Sequence, residues 1–266
     1  MQERDNINDF TDEQENIELM AKVEGERFVN AEADYIKWDE GRTVGERERA
    51  DMLHRHVVSQ VAQYQNLRVQ EELQEYHVNW DTITIEQVDA LKRALNDASC
   101  EEDMQCFLNE NRIFLVQFLA GGHGRYVIPK KQLGAELIPD FLIAETSSIG
   151  IEWHGVELES PHARLFTSSG QPHNQLTHAI QQIVEWRDWL ASNISYARSP
   201  KSDNGLGLVG INGDLPATII IGRREDEIPS SFNAFRTQIR QRQNMVIHSY
   251  DWLVEQAEYR VNLLHN

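Results

Sequence analysis

Residues 137–161 read LIPDFLIAETSSIGIEWHGVELESP, and this stretch decides the fold. It contains two apolar, β-prone runs, residues 137–143 and 151–158, which are separated by the turn sequence ETSSIG and followed by Ser-Pro. Short runs of this kind, bounded by Ser, Gly and Pro, are typical of strands. The sequence therefore predicts two strands that are close in the chain and able to pair.

Three carboxylates accompany these two strands. Glu157 and Glu159 are two positions apart, so an extended backbone puts both on one face, with Val156 and Leu158 on the other. Like charges side by side require a cation, solvent or a raised pKa. Asp140 is the single charge of the first run, and a carboxylate in an apolar strand is costly unless it is paired or ligated. If the strands pair, the three carboxylates meet at one edge of the sheet.

Such a carboxylate cluster is typical of a divalent-metal site. Carboxylate oxygens and water are the ligands that Mg²⁺ and Mn²⁺ prefer, and the bound ion can activate a water beside a phosphate. The alternative is that Glu157 and Glu159 line a solvated strand face. Because Asp140 adds a third carboxylate, we predict a Mg²⁺ or Mn²⁺ site that is held by Asp140, Glu157 and Glu159.

The pattern around these strands predicts an α/β fold. Capping-box sequences begin at Thr84 and at Ser99, where Thr84 is followed by Gln87 and Ser99 by Glu102, and they predict two helices before the sheet. The further predicted elements are a strand at 126–128, a helix at 174–192, a strand at 217–221, a helix near 232–242, a strand at 246–248 and a helix from about 250. This order indicates a sandwich of helices around a mixed sheet.

The predicted helix at 174–192 presents polar residues toward the carboxylates. His178, Gln182 and Trp186 recur every four positions and therefore share one face. We expect Gln182 and Trp186 to lie over the metal edge, where an amide can orient a carboxylate or a water. The alternative is a half-buried amphipathic helix with polar residues at its margin.

Charge is distributed unevenly along the chain. The formal net charge is −18, and residues 1–100 hold 23 Asp and Glu against 11 Lys and Arg. We predict that residues 1–95 form a helical, acidic N-terminal module with a regulatory or assembly role. This module would include one long helix at about 44–76 and a disordered start. Residues 96–266 would form the α/β domain.

Five arginines near the C-terminus form a candidate phosphate-binding patch. Arg223 and Arg224 end a predicted strand, and the next predicted helix carries Arg236, Arg240 and Arg242. Lys and Arg side chains provide the affinity of proteins for nucleic-acid backbones. The alternative is a solvated cluster that balances the acidic residues at 225–227.

Cysteine usage and hydropathy favour a cytoplasmic protein without a membrane span. Cys100 and Cys106 are the two cysteines and form neither a CxxC pattern nor a disulfide framework. The N-terminal residues are too charged for a signal peptide. The longest apolar run, near 113–120, is interrupted by Gln117 and is too short to cross a membrane.

Several short motifs resemble, in the same order, the nuclease domain of the Shedu anti-phage family, which belongs to the PD-(D/E)XK superfamily. They are PDFLIA (139–144), VELESP (156–161), QLTHAIQQIVEWRDWL (175–190), IIIGRR (219–224) and IHSYDWLVEQA (247–257). The resemblance covers roughly residues 98–260. It implies a restriction-endonuclease-like mixed sheet flanked by helices, metal-dependent cleavage of DNA, and a homo-oligomer.

The resemblance also implies roles for particular residues. Asp140 and Glu157 match the two acidic positions of the superfamily pattern. Gln182 and Trp186 look like its Gln-xxx-Tyr element, with Trp in place of Tyr. Glu101 or Glu102 is similar to an additional acid on the first core helix.

The chain departs from the superfamily pattern at Glu159, where Glu-x-Lys has a lysine. Glutamate could bind a second cation or act as a general base, and Lys130, Lys131 or Arg125 could supply the missing positive charge. Arg125 is also a candidate phosphate contact. Alternatively, catalysis is lost and the fold serves as a nucleic-acid-binding or scaffolding subunit. Cleavage of RNA or of a single strand would use the same site.

Overall fold

The structure is a computed structural model that describes residues 67–119, 123–148, 150–224 and 231–265. The chain divides into two compact units, Met1–Glu71 with Ser147–Ile151, and Glu72–Thr146 with Glu152–Asn266. Of the predicted helix at 44–76, residues 67–73 are helical and Gln74–Tyr76 form a 3₁₀ turn. The rest of that helix and the predicted disordered start lie outside the described residues.

The described residues form a mixed α/β fold, as predicted. The strands are β1 (Gly124–Pro129), β2 (Phe141–Ser147), β3 (Gly150–Leu158), β4 (Ala217–Ile220) and β5 (Met245–His248). The helices are α1 (Ile85–Asp97), α2 (Glu101–Glu110), α3 (Asn174–Ser192), α4 (Ile194–Arg198), α5 (Ser231–Gln243) and α6 (Tyr250–His265). Further 3₁₀ turns occupy Arg112–Val116 and Lys201–Asp203.

The sheet has the strand order β1-β2-β3-β4-β5. β1 is antiparallel to β2, whereas β3, β4 and β5 run parallel to one another. The C-terminal ends of the three parallel strands therefore meet at one edge, where Glu157 and Glu159 lie. Among the helices of the described residues, none is long and apolar enough to cross a membrane.

The start of β2 differs from the prediction. The strand begins at Phe141 and not at Leu137, because Leu137 instead forms an isolated bridge to Leu133 and Pro139 has no N–H to donate. Asp140 therefore lies immediately before β2 and not within it.

The two predicted helix starts have different outcomes. At Thr84 the capping box is confirmed, because its hydroxyl and the Gln87 side chain each accept the other residue's backbone N–H. At Ser99 the prediction is wrong, because the carboxylate of Asp103 accepts the N–H groups of Ser99 and Cys100. Helix α2 consequently begins at Glu101, and its first turn carries three acidic residues.

The two faces of the sheet are covered by different helices. One face, with Val156 and Leu158, packs into an apolar core to which α1, α2 and α6 contribute, and the core also contains Val78 and Ile83. Burial of each large apolar side chain in such a core contributes roughly 1.5–3 kcal/mol. The core of this unit therefore extends to residues before 96, where the predicted α/β domain begins.

Helix α3 covers the other face of the sheet. The indole of Trp186 is buried against Gly155 of β3, where an added Cβ would lie 2.4 Å from the ring. A glycine at this point in β3 lets the helix approach the strand closely. The contact fixes α3 above the strand that carries Glu157.

Candidate active site

Asp140 joins the ends of three strands. Its Oδ2 accepts the backbone N–H of Leu158 in β3 at 2.7 Å, and its Oδ1 pairs with the Lys130 ammonium at the end of β1 at 2.5 Å. The predicted pairing of the two acidic strands is thus confirmed, since β2 and β3 are neighbours. Burial raises the pKa of Asp140, while the hydrogen bonds from Lys130 and Leu158 act in the opposite direction.

Glu157 is a buried carboxylate with an unsatisfied oxygen. The residue is 3 % exposed, and within the described part of the chain its Oε2 has no hydrogen-bond partner. Burial, and then the charge of Asp140, hold the pKa of Glu157 well above its usual range. The alternative of a solvated strand face is wrong, because Glu159 is buried as well. A carboxylate in this setting requires a proton or a cation.

Glu159 follows the last residue of β3. Its Oε1 lies 3.7 Å from Nδ1 of the exposed His178 on α3. Burial, followed by the charges of Glu101 and Asp140, raises the pKa of Glu159 to about 7. Its backbone is fixed, because the carbonyl accepts the buried Tyr250 hydroxyl at 2.9 Å. The carboxylate can therefore exchange its proton near neutral pH.

The first turn of α2 brings a further acid to the cluster. Glu101 is half-buried, and burial and the charge of Asp140 raise its pKa. Glu102 is exposed, and its charge contributes to the raised pKa of Asp140. Of the two candidates, Glu101 is the more closely coupled, since its charge also raises the pKa of Glu157.

The three candidate cations lie in different environments. Lys130 contacts Asp140, whereas the Lys131 ammonium donates to the Leu206 carbonyl at 3.0 Å. Arg125 is 1 % exposed, donates to two backbone carbonyls and lies 4.3 Å from the ring centroid of Trp80. A guanidinium buried in this way is not presented to a phosphate, so the burial of Arg125 contradicts the predicted contact.

The two candidates on α3 are placed differently from one another. Gln182 is half-buried, one turn along the helix from His178, and its supporting role stays a prediction. Trp186 is buried over Gly155, which precedes Glu157 by two residues, and it packs against the sheet. The structure thus gives Trp186 a packing contact that positions the helix.

The arginine patch is divided by its ion pairs. The Arg223 guanidinium pairs with Asp251 at 2.9 Å, and that of Arg224 pairs with Glu255 at 2.5 Å. Their partners are thus on α6, and the acids at 225–227 lie outside the described residues. Helix α5 carries the other three arginines and no acidic residue.

The carboxylates fit a small divalent-metal site. Within the described ranges, no group of three or more His, Cys, Asp or Glu side chains is arranged to hold an ion. Mg²⁺, however, is commonly bound by one or two protein carboxylates, with waters and substrate phosphates completing its coordination. Asp140 and Glu157 are the buried carboxylates that would provide such a pair, since within the described residues Oε2 of Glu157 has no hydrogen-bond partner. The part of Glu159 as a third ligand stays a prediction.

Two neighbours of the cluster were not singled out from the sequence. Lys130 was one of three candidate cations, and the register Pro129↔Phe141 is what puts it beside Asp140. His178 was assigned to the face of Gln182, but its proximity to Glu159 depends on how α3 is rotated over the sheet. The sequence feature that could have indicated His178 is its position one helical turn before Gln182, on the same face of α3.

A mixed sheet with buried carboxylates and a lysine at one edge defines an α/β protein with an acidic site. The chain belongs to the Shedu family: the family model described as Shedu protein SduA, C-terminal, matches residues 98–254, which is more than half of the chain. The resemblance to Shedu is confirmed, and the family places this chain among anti-phage defence proteins. A comparison with curated proteins found no match.

Proposed function

We propose that this protein is a divalent-metal-dependent DNA endonuclease of anti-phage defence, which hydrolyses phosphodiester bonds at the acidic edge of the sheet. One observation carries the proposal: Asp140 and Glu157 are both buried at one edge of the sheet, the charge of Asp140 raises the pKa of Glu157, and Oε2 of Glu157 has no hydrogen-bond partner among the described residues. Buried carboxylates with raised pKa values in one cluster are typical of functional sites. We further propose that the protein acts as a homo-oligomer in the cytoplasm.

The residues of the site have separate parts in this proposal. Asp140 and Glu157 hold Mg²⁺ or Mn²⁺, which when bound supplies an activated water and stabilises negative charge on the phosphate. Glu159, which follows Glu157 by two residues and is fixed by the hydrogen bond from Tyr250 to its carbonyl, would accept a proton from the attacking water as a general base. His178, 3.7 Å away and exposed, connects that carboxylate with solvent.

Cleavage of DNA by the full-length protein tests the proposal. Supercoiled and linear DNA are incubated with Mg²⁺ or Mn²⁺ and either the native protein or Glu157→Gln. We expect metal-dependent cleavage that the substitution slows by about 100-fold or more. Glu152→Gln is the matched control, since Glu152 is an exposed glutamate of the same strand.

A catalytically inactive nucleic-acid-binding subunit is the second candidate. The observation in its favour is that Glu159 occupies the position where the superfamily pattern has lysine. DNA binding without cleavage, unchanged by added Mn²⁺ and by Glu157→Gln, would support this candidate. Cleavage that survives in Glu157→Gln would instead contradict the assignment of the site.

A further inference from the structure

The acidic edge of the sheet needs a positive charge before it can approach a phosphate. Asp140 accepts the N–H of Leu158, which lies between Glu157 and Glu159 in the chain, and its charge raises the pKa values of Glu101, Glu157 and Glu159, so four carboxylates share a small region. A phosphodiester is an anion, and like charges at short distance repel. The lysine that pairs with this cluster is Lys130, through Asp140.

The backbone holds Lys130 at this position. β1 ends with Pro129 opposite Phe141, and the N–H of Lys130 donates to the Asp140 carbonyl at 2.9 Å. The two residues are therefore joined by their backbones as well as by their side chains. Lys130 has a φ of +45°, in the left-handed region that residues with a Cβ rarely adopt. Strain of this kind is concentrated at functional sites.

The Lys130 ammonium is charged and accessible. Burial acts to lower its pKa, but the hydrogen bond and charge of Asp140, followed by the charges of Glu157 and Glu101, raise it above the ordinary value. The side chain is 48 % exposed, whereas that of Asp140 is 5 % exposed. Lys130 thus covers Asp140 on the solvent side.

Lys130 and a divalent ion compete for the same oxygen. Oδ2 of Asp140 already accepts the N–H of Leu158, so Oδ1 is the oxygen directed at a cation, and it contacts Lys130. The Lys130 ammonium would leave Oδ1 if a divalent cation bound there, because the two positive charges repel. Because the lysine side chain is a flexible four-carbon stem with a compact charge, the ammonium can move to another anion nearby.

We propose that Lys130 has two successive partners: it neutralises Asp140 in the free protein, and it binds the scissile phosphate once a divalent metal occupies Asp140. This inference rests on the proposed function and assigns to Lys130 the positive charge that Glu159 does not supply. It has an unusual consequence, because removal of the lysine has opposite effects on two ligands. Metal binds more tightly, since a competing cation is gone, and DNA binds less tightly.

The test uses the full-length protein with Lys130→Met, Lys130→Arg and the control Lys92→Met. Lys92 is a half-exposed lysine on α1 that pairs with Asp89 and Glu258, away from the cluster. Mn²⁺ binding is measured without DNA by electron paramagnetic resonance. The affinity of a short duplex is then measured in Ca²⁺, and cleavage is measured at saturating Mn²⁺.

We expect Lys130→Met to bind Mn²⁺ about tenfold more tightly, to bind the duplex several-fold more weakly and to cleave about 100-fold more slowly. Lys130→Arg should restore most of the duplex affinity, and Lys92→Met should match the native protein. Unchanged Mn²⁺ affinity in Lys130→Met, or undiminished cleavage, would overturn the assignment of Lys130 while the nuclease proposal stands. If neither the native protein nor Lys130→Met binds Mn²⁺, both proposals are overturned.

Discussion

Glu159 is the residue whose chemistry departs most from what its position in the sequence suggests. It lies at the end of a strand and is 6 % exposed, with a neighbouring histidine and several carboxylates. Burial and the nearby carboxylates disfavour the ionised form of Glu159. The side chain therefore either keeps its proton or needs a cation beside it. The carboxylate therefore links the stability of the fold to pH.

Metal-free protein is expected to lose stability as the pH rises. Because the pKa of Glu159 is raised from 4.5 to about 7, the folded state binds this proton more tightly than the unfolded chain does. The contribution is fully present below the unfolded pKa and is lost as the pH rises through about 7. It amounts to at most about 3 kcal/mol, because solvent at the edge of the sheet screens part of it, and the pKa values of Asp140 and Glu157 shift in the same direction.

Thermal unfolding at about pH 5 and about pH 8 in EDTA measures this effect. The fall in Tm between the two conditions should be clearly smaller in Glu159→Gln than in the native protein. An equal fall in both proteins would show that Glu159 does not carry the pH dependence.

The sequence was most informative where a charged residue lies next to apolar ones. Asp140 and Glu157 were expected to meet because a carboxylate in or beside an apolar strand needs a partner, and the structure has both at one edge of the sheet, with Asp140 just before β2. Their role as metal ligands stays a prediction. The sequence did not distinguish Lys130 and His178 from similar residues nearby. The position of Lys130 depends on the register of β1 and β2, and that of His178 depends on how α3 is rotated over the sheet. Lys131, another of the three candidate cations, donates instead to the Leu206 carbonyl.

Among the elements, α5 differs from the rest of this acidic chain. It carries Arg236, Arg240 and Arg242 without an acidic residue. The first two arginines are exposed and one turn apart, so they lie on the same face. Phe232, at the start of α5, contacts Phe166, which belongs to the loop that follows Glu159. The helix thus begins close to the segment that leaves the acidic edge.

We expect DNA affinity to depend more on α5 than on the arginines that end β4. Arg236→Ala with Arg240→Ala should weaken DNA binding about tenfold and reduce its salt dependence, because two phosphate contacts are lost. Arg223→Ala with Arg224→Ala should have a smaller effect, since both side chains pair with acids of α6.

Fluorescence anisotropy with a short duplex over a range of salt concentrations compares these two double variants. If the Arg223 and Arg224 variant loses more affinity than the α5 variant, the DNA path does not follow α5.

Elements with strong periodicity were predicted within a residue or two. The helix at 174–192 and the start of α6 match the sequence pattern, because their amphipathic spacing and flanking residues are unambiguous. The starts of β2 and α2 were displaced, by four residues and by one. A local contact decides each boundary: the Leu133–Leu137 bridge before β2 and the Asp103 cap at the start of α2. A sequence pattern does not show which of several possible local contacts forms.

At the scale of the whole molecule, the family match and the folding unit do not begin at the same residue. The match begins at residue 98, whereas the second compact unit begins at Glu72. Helix α1 lies between these points and buries Val88, Leu91 and Leu95 in the core that α6 shares. The sequence could not reveal this, because α1 meets α6 only through a contact between distant parts of the chain.

A fragment of residues 72–266 is expected to fold, and a fragment of residues 98–266 is not. The shorter fragment lacks three buried apolar side chains of α1, each worth roughly 1.5–3 kcal/mol, which is comparable with the whole stability of many domains.

Circular dichroism melts of the two fragments and the full chain test this expectation. The longer fragment should unfold cooperatively, and the shorter one should not. Cooperative unfolding of residues 98–266 would instead support a domain boundary near residue 95.

The contact between Trp186 and Gly155 has a geometric consequence for chemistry some distance away. From Trp186 back to His178 is eight residues of helix, or about 12 Å, and from Gly155 on to Glu159 is four residues of extended chain, or about 13 Å. The two paths are similar in length and start from one point of contact. The indole therefore acts as a spacer between α3 and β3, and the contact of its edge with Gly155 sets the distance across which His178 faces Glu159.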